Sequence, residues 1–450
     1  MFFFKRHILW LIVLVAAAAV LLAIVLYGIS VGVFNAGFFG RPGGGSLDAT
    51  SEAPVAQPET LADATGAEPD ITAAEGPLLP EQMRGVWIAT VLNIDFPHQL
   101  GEAPAQQQEL IDILETALDA GLNTVFFQVR PQGDAFYPSR IFPWSVYLSG
   151  SAGQNPGYDP LAFIIEEAHR RGLALQAWVN PYRLSMGSKE APQNSLELLP
   201  DASPVKNRPE LTLAAGDGRL YLNPGEPDAV ALVLEGIREI LENYEVDGIH
   251  LDDYFYPSDP AYDDSAAYAA YGQPAQLAVD EWRRANTQNL VAQIQALVRE
   301  VRPQAAFGVS PSGIWRNLTS SPLGSDTNGF ESYAQIYADT RQWVKDGLVD
   351  YIAPQLYWAI GQEGSDYALL ARWWAEVCRD TGVRLYIGHG AYRLGSSSEG
   401  PWASAAEIER QLAVNAELDI EGSIFYGYRQ ISENTLGLRD LLQQLYARQL

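Results

Sequence analysis

From Met83 onward the chain alternates between two textures. Short apolar runs, closed by Gly, Pro or Asp, give way to longer stretches in which apolar positions return every three or four residues. The first pattern predicts buried strands and the second predicts amphipathic helices. The runs are 84–91 (RGVWIATV), 123–130 (NTVFFQVR), 173–180 (LALQAWVN), 246–253 (VDGIHLDD), 305–312 (AAFGVSPS), 349–357 (VDYIAPQLY), 384–392 (RLYIGHGAY) and 422–429 (GSIFYGYR). Helical periodicity fills 106–121, 160–172, 229–244, 279–301, 333–347, 368–382, 405–420 and 435–450. Gly121, Gly172, Gly347 and Gly382 stand where helix C-termini need a left-handed residue. Eight strand–helix units predict an α/β protein of (β/α)8 barrel type. A doubly wound open sheet would carry a Gly-rich fingerprint after its first strand, and none is present. The long connections, 131–158, 181–227, 254–277 and 313–330, all leave strands. Such loops build the face on which a barrel carries its active site.

The pattern before Met83 is different. Lys5 and Arg6 precede an unbroken apolar run, Ile8–Tyr27. At ~1.5 Å per residue it crosses a ~30 Å hydrocarbon core, and its basic flank predicts a cytoplasmic N-terminus. The run exceeds the ~7–15 apolar residues of a cleavable signal peptide. Residues 1–40 are therefore expected to be a single-pass signal anchor, with the rest of the chain extracytoplasmic, in a periplasm or at a cell surface. Residues 41–80 contain no aromatic and are rich in Gly, Ala, Pro and acids, which predicts a disordered linker. Residues 81–450 then form the barrel domain.

Composition narrows the function. The formal net charge of -26 repels polyanions and argues against nucleic acid as a partner. Cys378 is the single cysteine, so no intrachain disulfide forms. The five His residues lie at 7, 98, 169, 250 and 389 with no HxH or HExxH pairing, so neither a metal nor another cofactor is expected. No GxSxG elbow suggests a serine nucleophile.

The strand ends carry the chemistry. In VDGIHLDDY, period two turns Ile249 and Leu251 toward the helices and turns His250 and Asp252 into the barrel, with Asp253 just beyond the strand. The second strand presents Gln128 and Arg130 with Asp134 following, and the third aligns Gln176, Trp178 and Asn180. The sixth offers Gln355 and Tyr357, followed by Trp358, and the seventh offers His389. Flat aromatic faces beside amides and acids are what sugars need. Arg130, Trp178, Asn180, His250, Gln355, Tyr357, Trp358 and His389 are thus candidate sugar contacts. Glycoside hydrolysis requires two carboxyl groups about the scissile bond. Asp252 is the first; Asp95, Asp253, Asp134, Glu226 and Glu331 remain open as its partner.

The segments RGVWIATVLNIDFP, GLNTVFFQVRPQGDAFYPS, GYDPLAFIIEEAHRRGLALQAWVNPYR, YLNPGEPD, VDGIHLDDYFYP and VDYIAPQLYW resemble the glycosyl-hydrolase-like family 10, in matching order from Arg84 to Arg429. The resemblance implies a (β/α)8 barrel and a carbohydrate-active role outside the cytoplasm. It implies Asp252 and Asp253 as catalytic residues with Asp95, and Arg130, Asn180 and Gln355 as companions. Family members include envelope lipoproteins that cut peptidoglycan glycan strands lacking stem peptides. Residues 1–40 hold no Cys to lipidate, so here the helix itself would tether the enzyme. The expected function is hydrolysis of cell-wall glycan by carboxylate acid/base chemistry. Hydrolysis of another polysaccharide (an exopolysaccharide or a glucan) and non-catalytic glycan binding are the alternatives.

Overall fold

The computed structural model describes residues 77–447. The expected anchor and most of the expected linker lie outside the described residues. Eight parallel strands form the centre: β1 (Met83–Ile88), β2 (Thr124–Arg130), β3 (Ala174–Val179), β4 (Gly248–Leu251), β5 (Ala306–Val309), β6 (Tyr351–Ile352 and Gln355–Leu356), β7 (Arg384–Leu385 and Ile387–Gly390) and β8 (Gly422–Tyr426). Pro354, which has no N–H to give a ladder, stands between the two pieces of β6.

The ladder closes on itself. Consecutive strands pair from β1 to β5, and β5 pairs with Tyr351–Ile352 of β6. Both pieces of β6 pair with β7, β7 pairs with β8, and β8 returns to β1. Closure leaves no free sheet edge, and each strand is followed by a helix. These are α1 (Ala103–Asp119), α2 (Pro160–Arg170), α3 (Pro227–Asn243), α4 (Val279–Val301), α5 (Thr340–Lys345), α6 (Tyr367–Cys378), α7 (Ala406–Glu417) and α8 (Leu438–Ala447). Asp159 starts α2 by accepting the amides of Leu161 and Ala162, satisfying donors that the helix cannot. Gly121, Gly172, Gly347 and Gly382 all have positive φ at helix ends, as their positions predicted.

Period two divides the strand side chains into two layers. Val125, Phe127, Ile249, Leu251 and Phe307 join the core between barrel and helices. Trp87, Phe126, Trp178, Tyr351, Tyr386 and Ile424 fill the barrel interior. Gly308 is needed here: a Cβ on it would lie 2.1 Å from the Tyr351 ring, which crosses β5 to stack on His250.

Two departures from the periodicity are local. The continuous helix expected over 333–347 is split into Ser332–Gln335 and α5, with Tyr337 between them in the left-handed region. The last helix starts late, at Leu438, because Leu436 is also left-handed. The β3–α3 connection carries a small antiparallel pair, Thr212–Ala214 with Leu220–Leu222. The long loops gather, as expected, at the C-terminal ends of the strands.

Candidate active site

A cleft of about 250 Å³ opens at that end of the barrel. Its floor is the end of β4. The strand stops at Leu251, and Asp252 and Asp253 both line the cleft. Asp252 is 6% exposed and richly held: Oδ2 accepts from Trp178 Nε1 at 3.2 Å, and Oδ1 accepts from Gln355 Nε2 at 3.3 Å and from the Asp253 amide at 2.8 Å. Burial, together with the adjacent Asp252 carboxylate, pushes the Asp253 carboxyl well above the usual carboxylate range. Two neighbouring acids thus stand in different surroundings.

Below this ledge lies a neutral polar relay. His250 is fully buried, and desolvation lowers its pKa to about 3. Trp87 Nε1 can only donate, and it does so to His250 Nε2 at 3.1 Å. The ring hydrogen therefore sits on Nδ1, which donates to Tyr351 Oη at 2.9 Å, while Ser310 Oγ lies 2.9 Å from Nε2. His250 supports Trp87 and Ser310, which both line the cleft, and does not itself line it. Ser310 O accepts from Gln355 Nε2 at 2.9 Å, so the relay also aims the amide that holds Asp252.

The walls are aromatic. Tyr357 stacks on Tyr426 at 6.0 Å and meets Tyr392 edge-on at 5.6 Å. Arg183 enters from the β3–α3 loop; Nε and Nη2 donate to Pro131 O at 2.9 and 2.8 Å, and its guanidinium lies 4.4 Å over the Tyr254 ring. It makes no ion pair among the described residues, and its charge faces the Asp253 side of the cleft.

Of the residues expected from sequence, Asp252, Asp253, Trp178, Gln355 and Tyr357 meet in this cleft. The others lie elsewhere. The register of β2 shifts between Gln128 and Arg130, and this bulge turns Arg130 outward. There its guanidinium lies 4.0 Å over Phe142 and donates to Pro181 O, beside Gly236 of α3. Asn180 is buried and accepts from Gln128 Nε2 at 3.3 Å; Gln128, not Asn180, lines the cleft. His389 lies between β8 and the helices, bonded to Gln411 and Ser423 and stacked on Phe425, because Gly388 and Gly390 take the inward positions of β7. Trp358 packs against the outer core beside Gly313. Asp95 is buried outside the cleft; Oδ2 accepts the Ala89 amide at 2.9 Å and ties down the turn after β1, and burial raises its pKa to about 6.

Of the other acids considered, Asp134 is buried beside Gln132, Glu226 precedes α3, and Glu331 accepts from Asn317 and Ser320. None lines the cleft. Trp87, Arg183, Tyr254, Ser310, Tyr392 and Tyr426 were not expected there. For Trp87 the period-two pattern of β1 carried the signal; for the loop residues Arg183 and Tyr392 no local pattern did.

Comparison with known proteins fits this cleft. The family model for glycosyl hydrolase-like 10 matches residues 82–404. The chain belongs to that family. Family membership makes it a glycoside hydrolase; which glycan it cuts is a separate question. It is 42% identical to "Glycosyl hydrolase YngK" of Bacillus subtilis over 374 residues, spanning 82% of this chain and 72% of that one. It is 41% identical to "Glycosyl hydrolase DigH" of Escherichia coli K12 over 381 residues, 80% of this chain and 85% of that one. Among solved structures, the PgaB (BpsB) glycoside hydrolase domain from Bordetella bronchiseptica superposes with a TM-score of 0.54 at 14% identity, covering 80% of this chain and 98% of that domain. Alpha-L-fucosidase isoenzyme 2 from Paenibacillus thiaminolyticus gives 0.53 at 14%, covering 82% and 49%. At that identity the two structures speak for the fold alone.

Proposed function

We propose that the protein is a membrane-anchored, extracytoplasmic glycoside hydrolase that cuts peptidoglycan-type glycan strands. The observation that carries the hydrolytic reading is the pair at the end of β4: Asp252 accepting three hydrogen bonds, and beside it Asp253, whose carboxyl burial and the neighbouring Asp252 push upward. Asp253 supplies the proton to the leaving oxygen, the step in which a general acid contributes ~10²–10⁴-fold. Asp252, the hydrogen-bond acceptor of the pair, is the second carboxyl group that the reaction requires.

Trp178 and Tyr357 offer ring faces to sugar C–H surfaces, and Gln128, Gln355 and Arg183 offer donors to hydroxyl or carbonyl oxygens. The cell-wall substrate is supported by the family and by the apolar run Ile8–Tyr27, which would hold the barrel beside an envelope polymer.

The test is incubation of the full-length protein with peptide-free glycan strands and with a β-glucan, with products read by mass spectrometry. Oligosaccharides of amino sugars released by the wild type, and lost in Asp252→Asn, are expected. Cleavage of the glucan alone would reject the cell-wall substrate, and undiminished release by the variant would reject Asp252. Anchoring is tested by carbonate extraction of membranes, which should leave the protein in the pellet.

A further inference from the structure

Both acids of the cleft stand on one ledge, and the wall facing them carries tyrosines and amides. That is the wrong layout for a protein nucleophile or base. Enzymes that use a carboxylate nucleophile hold their two carboxyl groups ~5–5.5 Å apart across the bond, and inverting enzymes hold them ~6.5–9.5 Å apart to admit a water. Here Asp253 follows Asp252 directly in the chain, Asp252 Oδ1 accepts its amide, and both line the one cleft. Asp95, Asp134, Glu226 and Glu331 are all engaged away from the cleft. The attacking group has to come from elsewhere.

We propose that it comes from the substrate: the carbonyl oxygen of a 2-acetamido group, which confines the enzyme to glycans of N-acylated amino sugars. This rests on the hydrolase reading above and deepens it. A carboxylate offers about four acceptor sites. Trp178, Gln355 and the Asp253 amide occupy three at Asp252. One remains, suited to a single N–H such as that of an acetamide. Trp87 and Trp178 border the same corner and give the acetyl methyl an apolar lining.

The acetamido oxygen bonds to the anomeric carbon as the glycosidic C–O bond breaks. The leaving oxygen takes the proton of Asp253, and the amide proton passes to Asp252, giving a neutral oxazoline. Water then adds to the anomeric carbon, giving its proton to Asp253. The ring C–O bond opens and nitrogen recovers its proton from Asp252. Two displacements leave the anomeric configuration retained.

The experiment uses the full-length protein with three probes: peptide-free glycan strands, the same strands chemically N-deacetylated, and aryl glycosides of 2-amino-2-deoxyglucose acylated with acetyl, fluoroacetyl or trifluoroacetyl groups. Loss of an intramolecular nucleophile should lower kcat by at least ~10²-fold on the deacetylated strand. The rate should fall with each fluorine added, because fluorine drains the carbonyl oxygen without changing the leaving group. NMR should show retention. Comparable kcat on acetylated and deacetylated strands, a rate indifferent to fluorination, or an inverted product would each overturn the proposal while leaving the hydrolase reading standing. Failure to cleave any of the glycans would overturn both.

Discussion

Replacing Asp253 by Asn tests the division of labour between the two acids. Asn keeps the shape and can still face Asp252, but it has no proton to give. A lost general acid costs ~10²–10⁴ in rate, or roughly 2.7–5.4 kcal/mol at 1.36 kcal/mol per tenfold. That cost should depend on the leaving group. Sugar alcohols need protonation, whereas a dinitrophenolate barely does, so the deficit should shrink to about tenfold or less on dinitrophenyl glycosides. The pH profile gives a second signature. Burial and the Asp252 charge hold the Asp253 pKa above its ordinary value, so wild-type kcat/KM should fall on the alkaline side as that carboxyl ionises. In Asp253→Asn the limb disappears. Stability separates lost chemistry from lost structure. A carboxyl with a raised folded-state pKa contributes stability that is full below its unfolded value and is lost as pH rises through the folded one. The variant should therefore melt at or above the wild-type Tm at neutral pH, with the difference closing toward pH 4. An equal rate loss on both leaving groups, with the alkaline limb still present, would refute the assignment of Asp253 as the acid.

Arg130→Met should leave kcat/KM within about twofold and should not lower the urea midpoint, because a buried guanidinium held by one carbonyl and one ring is replaceable by an apolar chain of similar volume; a tenfold loss of kcat/KM would put Arg130 back in the site. Gly308→Ala should destabilise by ~1–3 kcal/mol in urea titrations, since the new methyl would overlap the Tyr351 ring; no change in midpoint would mean that the ring is free to move aside. In Asp95→Asn the pH dependence of stability should flatten. The raised pKa of Asp95, about 6, gives the wild type an increment that is full near pH 4 and lost by about pH 6, and the variant lacks it. Matching urea midpoints across that range would refute the shift.

The barrel was legible because it is written redundantly. Each of its eight units carries its own switch from strand to helical period, and the helix-terminal glycines mark the same boundaries. The ledge was legible for a related reason: β4 is regular, so Ile249 and Leu251 go to the outer core and His250 goes inside. Faces assigned by alternation fail where the ladder is irregular. One bulged residue on β2 sent Arg130 from the rim to the underside of α3, an inversion that the letters QVR do not announce. His389 is a different kind of miss. Counting from Tyr386, which fills the interior, Ile387 is outward, Gly388 inward and His389 outward. That parity was available in RLYIGHGAY, and the outward His packs as a neutral core residue between Gln411 and Ser423.

The hardest part to read was the second carboxylate. In the sequence Asp253 stood beside Asp95, Asp134, Glu226 and Glu331 as a possible partner, and paired acids ordinarily demand separation. Among the described residues no further acid lines this cleft, and Asp253 follows Asp252 in the chain, where the strand has ended and alternation no longer applies. Once Trp178, Gln355 and the Asp253 amide are bonded to Asp252, one of the pair is fixed as an acceptor, while burial and the neighbouring Asp252 push the carboxyl of the other above its usual range. In the proposed reaction that asymmetry, created by three donors on one side of a two-residue ledge, lets a single strand end supply both halves of acid/base chemistry.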